Sequence, residues 1–357
     1  MKIGIMTMHR VPNYGSIMQA LSLKRMIESL GHQVCFVDYH IQPDIENKEN
    51  WREGIVCWLK NQKRAFYGTT LGKHPIWGAD NKLLDVAEKY EYRTKVDVLV
   101  IGSDEVFNCL QPGKNIGYSP ELFGKHNRAK KVITYAASFG NTTINGLSKH
   151  GVDGEIGALL CQMAAISVRD KNSESIVQEL CSCSPSLHLD PVLVGDLEKE
   201  QWPLPELDDY VIMYGYEKRF TEEECRQILQ FAHDRGKTAV ALGEDQVLRD
   251  KHILCKPEEI FGYFAKADYV FTDTFHGTIF SVITHRPFLT VTRPGQMGNS
   301  QKLGSLAETL GIRDRLVESF AAADKQMNMP IDFEGIDRLR AQEKKKTMDY
   351  LGTNLSI

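Results

Sequence analysis

Residues 2–39 read KIGIMTMHRVPNYGSIMQALSLKRMIESLGHQVCFVDY and contain one complete folding unit. Lys2 to Met8 is an apolar run of strand length. Asn13-Tyr14-Gly15-Ser16 then opens a helix whose Ile17, Ala20, Leu21, Ile27 and Leu30 fall along one stripe. Gly31 ends that helix, and Val34 to Tyr39 returns as a second strand. Strand, glycine-bearing turn, helix and strand together start a parallel, doubly wound sheet.

The alternation continues outward. Val96–Ile101, Lys131–Ala136, Ala165–Val168 and Leu187–Leu189 are further buried-strand candidates. A second series begins with a strand at Tyr210–Tyr214 and a helix at Glu222–Asp234, where Cys225, Ile228, Leu229 and Ala232 share a face. Strands at Thr238–Leu242 and Tyr269–Thr272, a helix after His276 and a strand at Phe288–Val291 follow. Between the two series, Gln201-Trp202-Pro203-Leu204-Pro205 reads as a linker. The expected architecture is α/β: an N-terminal domain over 1–200, a C-terminal domain over 206–325, the two facing across a cleft, and a last helix within 330–357. Chain length agrees, since 357 residues suit two domains better than one core.

Composition narrows the function. Apolar residues at 42% and charged residues at 25% match a globular chain and exclude disorder and fibrous repeats. With 43 lysines and arginines against 47 acids the net charge is −4, which argues against a nucleic-acid partner. No apolar run approaches the ~18 residues of a membrane-spanning helix. The N-terminus reads as a strand without a signal peptide's long apolar stretch, so a cytoplasmic protein is expected. Residues 44–80 carry three of the four tryptophans, Trp51, Trp58 and Trp77, with Lys60, Lys63, Arg64 and Lys73. That mixture fits a helical excursion packed on the first domain, or an interfacial helix touching lipid headgroups at the inner membrane face. Peripheral contact is the most it supports. The tail run Lys344-Lys345-Lys346 reads as a solvated helix face. The eight cysteines are scattered apart from Cys181 and Cys183, and a lone C-x-C lacks the second half of a zinc site.

In open α/β sheets ligands bind beyond the carboxyl ends of strands, where helix N-termini present amide hydrogens. Asn13-Tyr14-Gly15-Ser16 lies there, as does Gly102-Ser103-Asp104-Glu105, whose paired carboxylates can supply a base or cap a helix. The most specific stretch is Asp273-Thr274-Phe275-His276-Gly277-Thr278. A histidine, a glycine and a threonine at a helix start suit a phosphate, or else form a capping loop. Histidine there can hold an anion or pass on a proton near neutral pH.

Six segments recur in order: Asn13-Tyr14-Gly15-Ser16-Ile17-Met18-Gln19-Ala20, Gly102-Ser103-Asp104-Glu105-Val106-Phe107-Asn108, Tyr135-Ala136-Ala137-Ser138-Phe139-Gly140, Ser167-Val168-Arg169-Asp170, Leu189-Asp190-Pro191 and Phe275-His276-Gly277-Thr278. Together they resemble the polysaccharide pyruvyl transferase family, over residues 1 to about 317. Glu105, Phe107 and Gln301 stand where members often carry glutamine, tryptophan and arginine. The resemblance implies a fold like the two-domain GT-B glycosyltransferases. It also implies transfer of a pyruvyl group from phosphoenolpyruvate to a sugar acceptor, polymeric or lipid-linked, with release of phosphate.

Set against that reaction, His276 is expected to bind the donor phosphate and deliver a proton, with Gly277 and Thr278 as amide or hydroxyl donors. Arg169 would grip the donor's carboxylate or phosphate, unless it merely pairs with Asp170 at the surface. Arg293 would add positive potential, whereas Arg286 reads as part of a turn. Asp104 is the candidate base, and Asn13, Tyr14, Gly15, Gln19 and Asn108 would line the acceptor side. The scheme requires no metal and no cofactor. Two other readings compete: a glycosyltransferase gripping a nucleotide diphosphate, in which Glu308 could meet ribose hydroxyls although it reads more simply as a helix-surface glutamate, and a non-catalytic or redox partner centred on Cys181 and Cys183.

Overall fold

The computed structural model describes residues 1–67, 82–111, 118–293 and 300–356. Trp77 and Lys73 lie outside these residues. The chain divides into two compact units, Met1–Gly195 with Gln342–Ile357, and Asp196–Ala341. The boundary falls a few residues before the proline-rich stretch. The last helix, Phe333–Leu355, carries the chain back into the first unit.

In the first unit, β1 (Lys2–Met6), β2 (Gln33–Phe36), β3 (Val98–Asp104), β4 (Lys131–Ala137), β5 (Ser167–Val168) and β6 (Ser186–Leu187) form one sheet in the order β2-β1-β3-β4-β5-β6. Every pairing is parallel, with Ile3 opposite Val34 on one side and Val98 on the other. Central strands covered on both faces need uninterrupted apolar runs, and Val98 to Ile101 are all buried. Helix Tyr14–Ser29 starts where Asn13 accepts a hydrogen bond from the Ser16 amide. Below β3 the rings of Phe107, Phe123 and Phe139 pack at 4.6–6.0 Å. The returning helix is fastened by Tyr350, whose hydroxyl donates to the Thr134 carbonyl, and by a Tyr135–Thr347 hydroxyl pair.

The second unit repeats the plan. Here β7 (Tyr210–Tyr214), β8 (Thr238–Leu242), β9 (Lys251–Ile253), β10 (Tyr269–Thr272), β11 (Phe288–Val291) and β12 (Leu316–Val317) form a parallel sheet ordered β12-β11-β10-β7-β8-β9. Its helix Glu222–His233 opens with a capping box between Thr221 and Glu224 and buries Cys225, Ile228 and Ala232, the expected face. Phe231, Phe271 and Phe320 meet edge to face in its core.

All eight cysteines are free thiols, and Cys161 and Cys183 are exposed. Among the described residues no group of three or more histidines, cysteines or acids is placed to hold a metal ion. No helix among them is long and apolar enough to cross a membrane.

Candidate functional site

Each sheet has one place where the chain reverses its direction of growth across the sheet. Strand order puts this switch between β1 and β3 in the first unit and between β7 and β10 in the second. Loops leaving two neighbouring strands in opposite directions open a crevice at their carboxyl ends. The sequence-expected residues gather at these two places.

At the first switch, Asp104 ends β3 in the left-handed region at φ +77°. The Ser16 hydroxyl donates to its Oδ2 at 2.8 Å, joining the start of helix Tyr14–Ser29 to the strand. Arg169 stands on the other side, its Nη2 3.8 Å from Asp104 Oδ1, and its Nη1 donates to Asp190 Oδ2 at 2.7 Å. Both the Arg169 and Asp190 side chains are nearly enclosed. Gly102 makes the approach possible: at φ +114°, an added Cβ would lie 2.3 Å from the Tyr135 carbonyl oxygen, so only glycine fits.

This geometry corrects two expectations. Arg169 pairs with Asp190 and stands 3.8 Å from Asp104. It does not pair with Asp170, which caps helix Lys171–Cys181 by accepting from the Ser173 amide and also accepts from the Ser138 hydroxyl at 2.6 Å. Gln19 is wholly buried, its amide donating to Thr7 Oγ1 and the Ser16 carbonyl, so it braces strand and helix and does not line an acceptor surface. Asn13 serves as the helix cap, Tyr14 and Gly15 are buried behind it, and Asn108 links Glu105 to Thr142.

At the second switch, Asp273 is fully buried directly after β10. Arg219, from the loop that follows β7, forms an ion pair with Asp273, its Nε 2.7 Å from Oδ2, and Arg293 Nε lies 3.5 Å from the same oxygen. Arg293 also grips Glu224 with a two-point fork at 2.7 and 2.8 Å. Burial pushes the Asp273 carboxyl above its ordinary range, with the two arginines opposing. For Glu224 burial acts in the same upward sense, but hydrogen bonds from Arg293 and Thr221 together hold the carboxyl below its usual range.

Helix Phe275–Ile283 begins three residues after β10, with Thr274 as its cap. From Val270 to Ile283 every residue is buried except His276, which is half-buried. The two residues after it turn out to be structural. The Gly277 amide donates to Thr274 Oγ1 at 2.8 Å, and a Cβ on Gly277 would sit 2.2 Å from Thr272 Oγ1. The Thr278 hydroxyl donates to the Thr274 carbonyl and meets Thr290. The expectation that both supply donors to a ligand is corrected: close packing of helix on strand uses them. Arg286 bonds to carbonyls of its own turn and of Ala267. Glu308 is exposed and lies 3.5 Å from Arg313, a helix-surface pair.

Arg219 and Asp190 carry much of this geometry. Arg219 belongs to no motif, and only the strand order shows that its loop borders the switch.

Two parallel sheets, each with a polar cluster at its switch point, define a GT-B-like protein of two Rossmann-like domains. Solved structures agree on the fold. UDP-GlcNAc 2-epimerase from Neisseria meningitidis, bound to UDP-GlcNAc, superposes with a TM-score of 0.50 at 14% identity, covering 99% of this chain and 100% of its own. The Methanocaldococcus jannaschii UDP-GlcNAc 2-epimerase, in complex with UDP-GlcNAc and UDP, gives 0.50 at 11% identity with the same coverage. No curated protein matches the sequence significantly. The family model for polysaccharide pyruvyl transferase matches residues 13–294, most of the chain, and the protein belongs to that family.

Proposed function

We propose that this chain moves the pyruvyl group of phosphoenolpyruvate onto a sugar of a polysaccharide or its lipid-linked precursor, in the cytoplasm, forming a pyruvate ketal and releasing phosphate. The observation carrying the donor side is His276, the one residue that is not fully buried in the strand-to-helix segment Val270–Ile283 at the second switch.

In this reading the second unit takes the donor. His276 holds the phosphate and delivers a proton to the donor's methylene carbon. Arg219 and Arg293, their guanidinium planes fixed by Asp273 and Glu224, supply positive potential for the anion. The first unit takes the acceptor, and Asp104 receives the proton of the attacking hydroxyl. Arg169 is then a positioning residue that, with Ser16, sets the angle of Asp104. Attack makes a bond from sugar oxygen to the donor's central carbon. Phosphate leaves that carbon, and a second hydroxyl of the same sugar closes the ketal. Of the two hydroxyl protons, one ends in the new methyl group and one on phosphate, so the step balances. Protein cations suffice for the charge, and the scheme uses no metal or cofactor.

A nucleotide-sugar donor is the second reading, because the same fold holds UDP-GlcNAc in the two epimerases. Calorimetric titration separates the two. Phosphoenolpyruvate is expected to bind saturably while UDP and UDP-glucose do not. Binding of the nucleotides alone would replace the first reading with the second.

A further inference from the structure

Helix Trp51–Tyr67 has two faces with different fates. One face is anchored: Cys57 and Asn61 are buried, the Asn61 amide exchanges hydrogen bonds with both backbone groups of Ile41, and Arg64 stacks over the Tyr90 ring at 5.0 Å. The other face is apolar and open. Trp51 is 68% exposed, Ile55 48%, Trp58 59%, Leu59 54% and Phe66 66%. Positions 51, 55, 58, 59 and 66 recur at helical spacing, so the five form one stripe about a third of the circumference wide.

Arg52 and Lys63, both exposed, lie along one edge of that stripe, with Lys60 beyond them. The helix carries four basic residues and a single acid, Glu53, on a chain whose net charge is −4. A cationic border on an exposed aromatic stripe is the pattern of a helix lying in a lipid interface. A second copy of the chain is a poorer occupant. A two-fold contact that packs this face antiparallel on its copy would bring each basic edge against its own image.

We infer that helix Trp51–Tyr67 docks the protein on an anionic bilayer surface, with Trp58, Ile55 and Leu59 among the headgroups and Arg52 and Lys63 on lipid phosphates. This goes beyond the transfer reading and does not rest on it.

The full chain is sedimented with phosphatidylcholine vesicles containing phosphatidylglycerol, and with pure phosphatidylcholine vesicles. Binding is expected to the anionic vesicles and to weaken with salt. Trp58→Glu places a charge on a solvent-exposed position, so folding is not at risk, and it should weaken binding at least about tenfold. Lys63→Ala removes one charge and should weaken binding about fivefold. Titration with phosphoenolpyruvate should be the same in both variants, so failure here leaves the donor reading standing, and the reverse. No binding to anionic vesicles, or equal binding by Trp58→Glu, overturns the inference. So does a dimer that Trp58→Glu converts to a monomer, since the face would then be a self-interface.

Discussion

The two switch-point clusters share a plan and differ in charge. Both place a carboxylate at the end of a central strand and hold it with arginine. In the first unit one enclosed arginine, Arg169, lies between Asp104 and Asp190, so acid outnumbers base. In the second, Arg219 and Arg293 converge on buried Asp273, Glu224 balances them, and His276 lies in the first turn of the helix that follows Asp273. An acid-rich cluster suits a base for a hydroxyl, and an arginine pair with histidine suits an anion. In the proposed reading, one fold repeated twice serves two unlike chemistries, set by which side chains the switch loops contribute.

Substitutions can break this contrast. Asp104→Asn should lower turnover by ~10²–10⁴, the usual worth of a general base. Phosphoenolpyruvate affinity should stay close to wild type. His276→Ala should cost about a hundredfold or more in turnover, and donor affinity should fall with it. If both variants fail in the same way, the two clusters are not doing different work.

Stability sharpens the comparison further. Arg169→Ala would remove the counter-charge of enclosed Asp190, at a cost of ~3–5 kcal/mol in urea denaturation. Arg219 is partly exposed and Asp273 keeps Arg293 nearby, so Arg219→Ala should cost less than half as much. Gly102→Ala should destabilise by about 3 kcal/mol, from a backbone clash and a left-handed φ together.

A further effect is in pH. His188 is buried in the first unit, beside Ser167 and the Tyr350 ring. Burial first, and the nearby Lys346 charge second, lower its pKa from 6.5 to about 4. Between these values the unfolded chain binds a proton that the folded chain refuses, so stability falls as pH falls from 6.5 to about 4. His188→Gln should flatten the slope of denaturation free energy over that window.

Much of this was legible in sequence. Strands such as Tyr210–Tyr214, Thr238–Leu242 and Phe288–Val291 are continuous apolar runs because both sheet faces are covered, and their ends are found where the runs end. β9 and β12 carry no such signal. Lys251-His252-Ile253 is an edge strand with two exposed residues, and Leu316-Val317 is two residues long. The candidate residues Asp104 and His276 are picked out by their positions after strands. The partners that fix them are not. Asp190 meets Arg169 from 21 residues away and Arg219 meets Asp273 from another strand's loop, and such pairings exist only once the strand order is known. Gly277, Thr278 and Gln19 misled for a related reason. Close helix–strand packing asks for the same small or polar residues at a helix start as anion binding does.

The central claim is that the second unit's cluster binds the donor and the first unit's does not. Calorimetric titration of phosphoenolpyruvate into wild type, His276→Ala and Asp104→Asn tests it directly. The account predicts saturable binding in wild type, its loss in His276→Ala and its persistence in Asp104→Asn. Binding that survives in His276→Ala but vanishes in Asp104→Asn would contradict it and move the donor to the first unit.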